Sequence, residues 1–208
     1  MTRRVNFLRR PLDWIFSAPS NIAVIRALKD SKEGMSGRAA ARAAGFTHQA
    51  CRHALGKLEP MGIIERQGSG KTQLVRLNFA HILVRDVLLP MLRAEKHLIA
   101  RVRESIRKEF EQHARSATLF GSVARKEDEP ESDVDLLLIA DGKDKPRLLN
   151  IAHAFGNRFI SQYGIRLSPI VLTTREVRAR HKKSDPLLKN ILSHGIELLK
   201  EHLEDLLL

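Results

Sequence analysis

The sequence predicts an α+β chain of two domains joined by a helix, and three observations carry that prediction. Residues 20–83 hold three short helical patterns, followed by two short apolar runs across a glycine-tipped turn. Residues 84–114 keep one apolar stripe at helical spacing over a stretch much longer than an average helix. Residues 115–208 alternate strand-like runs with helical ones, the pattern of a mixed sheet with helices packed against it. The expected divisions are therefore 1–83, 84–114 and 115–208.

With 208 residues, either domain can bury a core of its own. The single cysteine, Cys51, allows no internal disulfide and suits a reducing, cytoplasmic compartment. No apolar segment approaches the ~20 residues that span a bilayer, so no membrane partner is expected. The basic start MTRRVNFLRRPLDWIF lacks the apolar core and cleavage site of a secretory signal. The net charge of +12 is unevenly placed. Residues 1–90 carry 15 Lys and Arg against 6 Asp and Glu, whereas residues 91–208 carry 21 against 18. That surplus points the first part toward a polyanion, most simply double-stranded DNA.

In chain order, Leu12, Trp14, Ile15 and Phe16 follow an arginine-rich start and are expected to pack on the body of the first domain. The competing use is a basic arm reaching a DNA groove. Ser20 can cap a helix over Asn21–Asp30, with Ile22, Ile25 and Leu28 on one stripe. An alanine-rich helix over Ser36–Ala44 is ended by Gly45. Thr47 can cap a third, over His48–Leu58, with Ala50, Ala54, Leu55 and Leu58 inward. Ile63–Arg66 and Leu74–Leu77 read as strands joined by the hairpin Gln67–Lys71.

Three helices, the tight turn Ala43–Thr47 and a glycine-tipped hairpin together resemble a winged helix-turn-helix domain. That resemblance implies Thr47, His48, Gln49 and Arg52 facing the major groove, and Lys71 on the wing. The competing use of such a fold is dimerisation or protein contact. Two other patterns fail on spacing. Gly70-Lys71-Thr72 ends like a phosphate-binding P-loop, but Glu65 stands where its first glycine belongs. His48, Cys51 and His53 do not share one helix face, so zinc is not expected.

Pro90 is expected to start or kink a helix running to about His113, with Leu92, Ile99, Val102, Ile106 and Phe110 on its stripe. This helix joins the domains and is a candidate homodimer surface. Beyond it, helices are expected over Pro146–Gln162 and Arg175–Lys182, with a strand at Ile165–Thr173 between them. Asp185-Pro186 caps and opens another helix, ended at Gly195. Ile196–Leu199 is either a short edge strand or part of a terminal helix.

The chemistry concentrates in LFGSVARKEDEPESDVDLLLI, residues 119–139. An apolar run ends at Gly121-Ser122, and after ten intervening residues a second run opens with Asp133-Val134-Asp135. Strand alternation sends Asp133 and Asp135 to one face. Two hard oxygen ligands side by side suit a Mg²⁺ ion that also grips a substrate's phosphates. Gly121 permits close backbone approach to a phosphate, and Ser122 offers a hydroxyl and an amide. Arg125 and Lys126 either add positive charge to that phosphate side or form a solvated basic helix face.

This paired motif resembles the signature of the nucleotidyltransferase superfamily built on the polymerase-beta palm. The fuller string, from Gly121 to Leu137, resembles its minimal nucleotidyltransferase branch. The resemblance covers Ala117–Leu172 and implies a C-terminal polymerase-beta-like α/β domain. It also implies a Mg²⁺ or Mn²⁺ ion on Asp133 and Asp135, an NTP, and a transfer to an acceptor on protein, RNA or a small molecule. The family's third carboxylate, on the next strand, aligns here with Ser168, a poor ligand and weak base, with Glu176 the one nearby substitute. Two functions follow: a nucleotidyltransferase coupled to DNA binding, or a DNA-binding regulator of antitoxin-like type that binds nucleotide or a partner without turnover.

Overall fold

The computed structural model describes residues 6–69 and 73–207. The chain divides into two compact units, Met1–His97 and Leu98–Leu208. The division falls inside one long helix, and each unit has its own core.

The first unit opens with a short helix α1 (Pro11–Ile15). Of its start only Ile15 is fully buried; Trp14 and Phe16 remain 44% and 41% exposed. The arm thus lies on the body of the unit, Ile15 in the core and Trp14 partly exposed, lining one cavity with Lys57, Pro60 and Met61. Helix α2 (Pro19–Leu28) begins at Pro19 with Ala18 in the cap position, not at a Ser20 cap. Proline's preset φ opens the helix there, and Ser20 is buried in its first turn. Strand β1 (Met35–Ser36) leads into α3 (Gly37–Ala44), whose first turn is capped by the Ser36 hydroxyl accepting from Ala39 N. Gly45 closes α3 at φ 69°, the left-handed conformation a helix end favours.

Helix α4 (His48–Leu58) is capped by the Thr47 hydroxyl, which accepts from Ala50 N at 3.2 Å. Its buried face is Cys51, Ala54, Leu55 and Leu58. Cys51 thus takes the inward place expected of Ala50, since 51, 54, 55 and 58 follow one helical stripe. Strands β2 (Ile64–Gln67) and β3 (Leu74–Leu77) pair antiparallel, and β1 adds to β3, giving the order β1-β3-β2. Gly70, Lys71 and Thr72, which held the expected wing tip, lie outside the described residues. A wide π turn (Val84–Leu88) then precedes α5 (Leu89–Phe110) and Pro90, which has no N–H to give.

The second unit is a four-stranded mixed sheet of order β6-β5-β4-β7. Strands β4 (Ser116–Phe120) and β5 (Val134–Ala140) are antiparallel, with Phe120 opposite Asp135. β5 and β6 (Leu167–Thr173) are parallel, linked by α7 (Lys145–Tyr163). β7 (Ile196–Glu197) pairs with β4, which makes the start of Ile196–Leu199 an edge strand. Pro169 is tolerated because β6 is the opposite edge.

Both sheet faces are covered, as near-continuous apolar strands require. Leu136 and Leu138 face Ile106, Phe110, Phe155 and Phe159 from α5 and α7. Leu137 and Ile139 face the other way, toward Val177 of α8 (Thr174–Lys182) and Leu188 and Ile191 of α9 (Pro186–His194). Among the described residues no helix is long and apolar enough to cross a membrane.

Candidate active site

The alternation that sorts Leu136 from Leu137 also settles where the two aspartates stand. Asp133 and Asp135 share parity with Leu137 and Ile139, so they lie on the α8–α9 face, at the end of the sheet where β5 begins. Further along the strand that face is sealed by leucine and isoleucine. At the strand's start it carries acids, because α8 and α9 bury the positions beyond.

Gly121 sits directly against them. It follows the last residue of β4 and starts the short helix α6 (Gly121–Arg125) at φ 75°. A Cβ placed there would meet Asp135 Oδ2 at 2.0 Å, closer than any real contact. Glycine is thus required twice over, for the left-handed turn and for the approach of backbone to carboxylate. No side chain caps the start of α6, and Ser122 is half-buried in its first turn. The sequence motif is therefore one place in space: bend, hydroxyl and acid pair.

The electrostatics of the acid pair are set by burial and by the charges around it. The Asp135 carboxyl is pushed above its ordinary value, first by burial and then by the negative charge of Asp133. Arg125 opposes that rise. It stands near enough to act on Asp135 while its Nε also donates to Glu127 Oε2 at 2.7 Å. Lys126 is exposed and closes α6 in the left-handed conformation, φ 61°.

Two residues on β6 complete the picture. Ser168 is the register partner of Asp135, so the position aligned with a third acid is a neighbour of the pair and holds a hydroxyl. Glu176 cannot replace it. It belongs to the far end of β6, where Thr173 pairs with Ala140, about 16 Å along the strand from Asp135. There it completes the capping box of α8 and takes Lys145 Nζ at 2.7 Å, which holds its carboxyl down at about 2. The sequence reading missed Arg166. Its Nε lies 3.1 Å from Asp133 Oδ1, and its carbonyl accepts from Val134 N. The signal was present: if Ser168 stands beside Asp135, strand period puts Arg166 beside Asp133.

The donor set fits a divalent cation that is bound partly by its substrate. Among the described residues no group of three or more His, Cys, Asp and Glu encloses a metal position, so the protein offers two carboxylates. A Mg²⁺ ion commonly takes one or two carboxylates and completes its shell with phosphates and water. Asp133 and Asp135 would hold the ion, with Gly121 packed against Asp135.

In the first unit, Thr47, His48, Gln49 and Arg52 all lie exposed at the start of α4. Thr47 spends its acceptor on the helix cap and keeps a hydroxyl proton to donate. Lys71 lies outside the described residues. Cys51 is buried while His48 and His53 are exposed, which separates the three potential zinc ligands.

Residues 104–203 match the family model described as Polymerase beta, Nucleotidyltransferase. That range is nearly the whole second unit. Over 80 residues the chain is 39% identical to the Methanocaldococcus jannaschii protein named "Putative protein adenylyltransferase MJ1305". The aligned stretch covers 38% of this chain and about half, 53%, of that protein.

Proposed function

We propose, on the footing that residues 104–203 form a nucleotidyltransferase domain of the polymerase-beta kind, that this chain moves a nucleoside monophosphate from a metal-bound NTP onto an acceptor hydroxyl. The observation that carries the reading is the contact of Gly121 with Asp135, with Asp133 on the same face. Phosphates need close backbone approach, and the cation beside them needs paired carboxylates; here one bend supplies both. Asp133 and Asp135 hold Mg²⁺ or Mn²⁺, Gly121 and Ser122 receive the outer phosphates, and Arg125 and Lys126 add positive charge on that side. A bound cation supplies Lewis-acid charge that offsets the charge building on the phosphates. The acceptor oxygen forms its bond to the α-phosphorus and gives up its proton to solvent, the bond from the α-phosphorus to the bridging oxygen breaks, and pyrophosphate carries away the bonding pair. The relative's name favours ATP as donor and a protein hydroxyl as acceptor.

The first unit serves this reading as a winged helix-turn-helix that binds double-stranded DNA. Its support is the helix order, the β1-β3-β2 sheet, the exposed Thr47, His48, Gln49 and Arg52, and the basic surplus of residues 1–90.

Ser168 beside Asp135 favours a second reading, a DNA-binding regulator whose second unit binds nucleotide without turnover. One experiment separates the two. The full chain is incubated with each α-labelled NTP, Mg²⁺ and cell lysate, beside the Asp133→Ala/Asp135→Ala variant. Labelled product that disappears in the variant supports transfer. Nucleotide binding with no labelled product supports the regulator, and equal labelling by both proteins removes these aspartates from the site.

A further inference from the structure

Arg166 has an unusual position for so exposed a side chain. Its side chain is 73% exposed, yet its Nε lies 3.1 Å from Asp133 Oδ1, one of the two carboxylates a cation would need. The backbone places it there: Val134 N donates to Arg166 O at 2.8 Å, and the parallel register then sets Ser168 beside Asp135. So the strand that lacks the third acid brings a cation to the acid pair instead. A guanidinium and a divalent ion compete for the Asp133 carboxylate, because their like charges repel at that distance. Released from Asp133, the planar fork of an arginine beside the acid pair suits the phosphate oxygens of a nucleotide held there.

We infer that Arg166 is an exchange residue, which holds Asp133 while the site is empty of metal and transfers its guanidinium to the nucleotide's phosphates when metal and nucleotide enter together. This rests on the nucleotidyl-transfer reading of the site. Its consequence is coupling. Metal alone must displace Arg166 and leave it unpartnered, whereas metal with nucleotide gives it a new anion. Each ligand therefore binds better in the presence of the other, by the same factor.

The test uses Mn²⁺ as the probe, followed by loss of the free-ion electron paramagnetic resonance signal. The full chain is titrated without nucleotide and with the α,β-methylene analogue of ATP, which cannot be turned over. Arg166→Gln is expected to bind Mn²⁺ alone about two- to fivefold more tightly, the range of a lost exposed ion pair. The same variant binds the analogue roughly tenfold more weakly, as a charged hydrogen bond predicts, so the mutual strengthening shrinks. Arg166→Lys recovers part of both effects, since it restores a charge without the fork. If Arg166→Gln leaves both constants unchanged while Asp133→Asn/Asp135→Asn weakens Mn²⁺ binding, the exchange is overturned and the site stands. If the double aspartate variant binds Mn²⁺ like the unmodified protein, the nucleotidyl-transfer site itself is overturned.

Discussion

Gly121 is the most constrained single residue of the second unit's site. Alanine there would have to adopt φ near 75° and set its methyl 2.0 Å from Asp135 Oδ2. The left-handed backbone alone costs roughly 1–2 kcal/mol, and the carboxylate must also move off its line with Asp133. Gly121→Ala is expected to lower the melting temperature by a few degrees and to reduce nucleotide transfer at least tenfold, in thermal melts and label-transfer assays. Ser168 gives the opposite kind of prediction. Because it stands opposite Asp135, Ser168→Asp places a third carboxylate in the cluster. Without metal, that variant should melt lower than the unmodified chain through like-charge repulsion. With Mn²⁺ it should bind the ion about tenfold more tightly, since a carboxylate replaces a hydroxyl as ligand. No gain in Mn²⁺ affinity would show that Ser168 does not border the metal position.

Among the elements, α8 shows how a carboxylate can look functional in sequence and be structural in the fold. Glu176 accepts from Thr173 N and from Lys145 Nζ, tying the start of α8 to the start of α7. Glu176→Ala is expected to cost about 0.5–1 kcal/mol, the lower range for a lost helix cap, while leaving nucleotide transfer unchanged. The effect depends on pH with a definite sign. The Glu176 carboxyl falls from 4.5 to about 2 on folding, so its stabilisation is present above the unfolded value. Melts of the two proteins should therefore differ at pH 7 and converge between about 4.5 and 2. A difference that persisted below that window would assign the loss to packing.

On the scale of the molecule, each unit has its own core, and the excess of basic residues lies in the first, so the two proposed activities can be tested separately. Arg52, exposed on α4, should matter to only one of them. Arg52→Ala is expected to weaken duplex DNA binding by about tenfold, with a shallower salt dependence if it meets phosphate. Transfer activity should be unaffected. Fluorescence anisotropy over a salt series checks the first expectation, and the label-transfer assay checks the second.

Local rules were enough for much of this. Thr47, Asp185 and Gly45 mark helix ends by their own chemistry, so α4, α9 and the close of α3 were legible from a few residues each. The acid pair was legible because side-chain alternation needs nothing beyond one strand. Where local signals competed, the chain alone misled: Ser20 has a capping side chain, yet Pro19 opens α2. The partners of the acids were set by strand register, which depends on how sheet and helices pack and not on neighbouring residues. Once β6 lies parallel beside β5 in that register, Arg166, thirty-three positions along the chain, falls beside Asp133, and Glu176 is left beyond the other end of the strand.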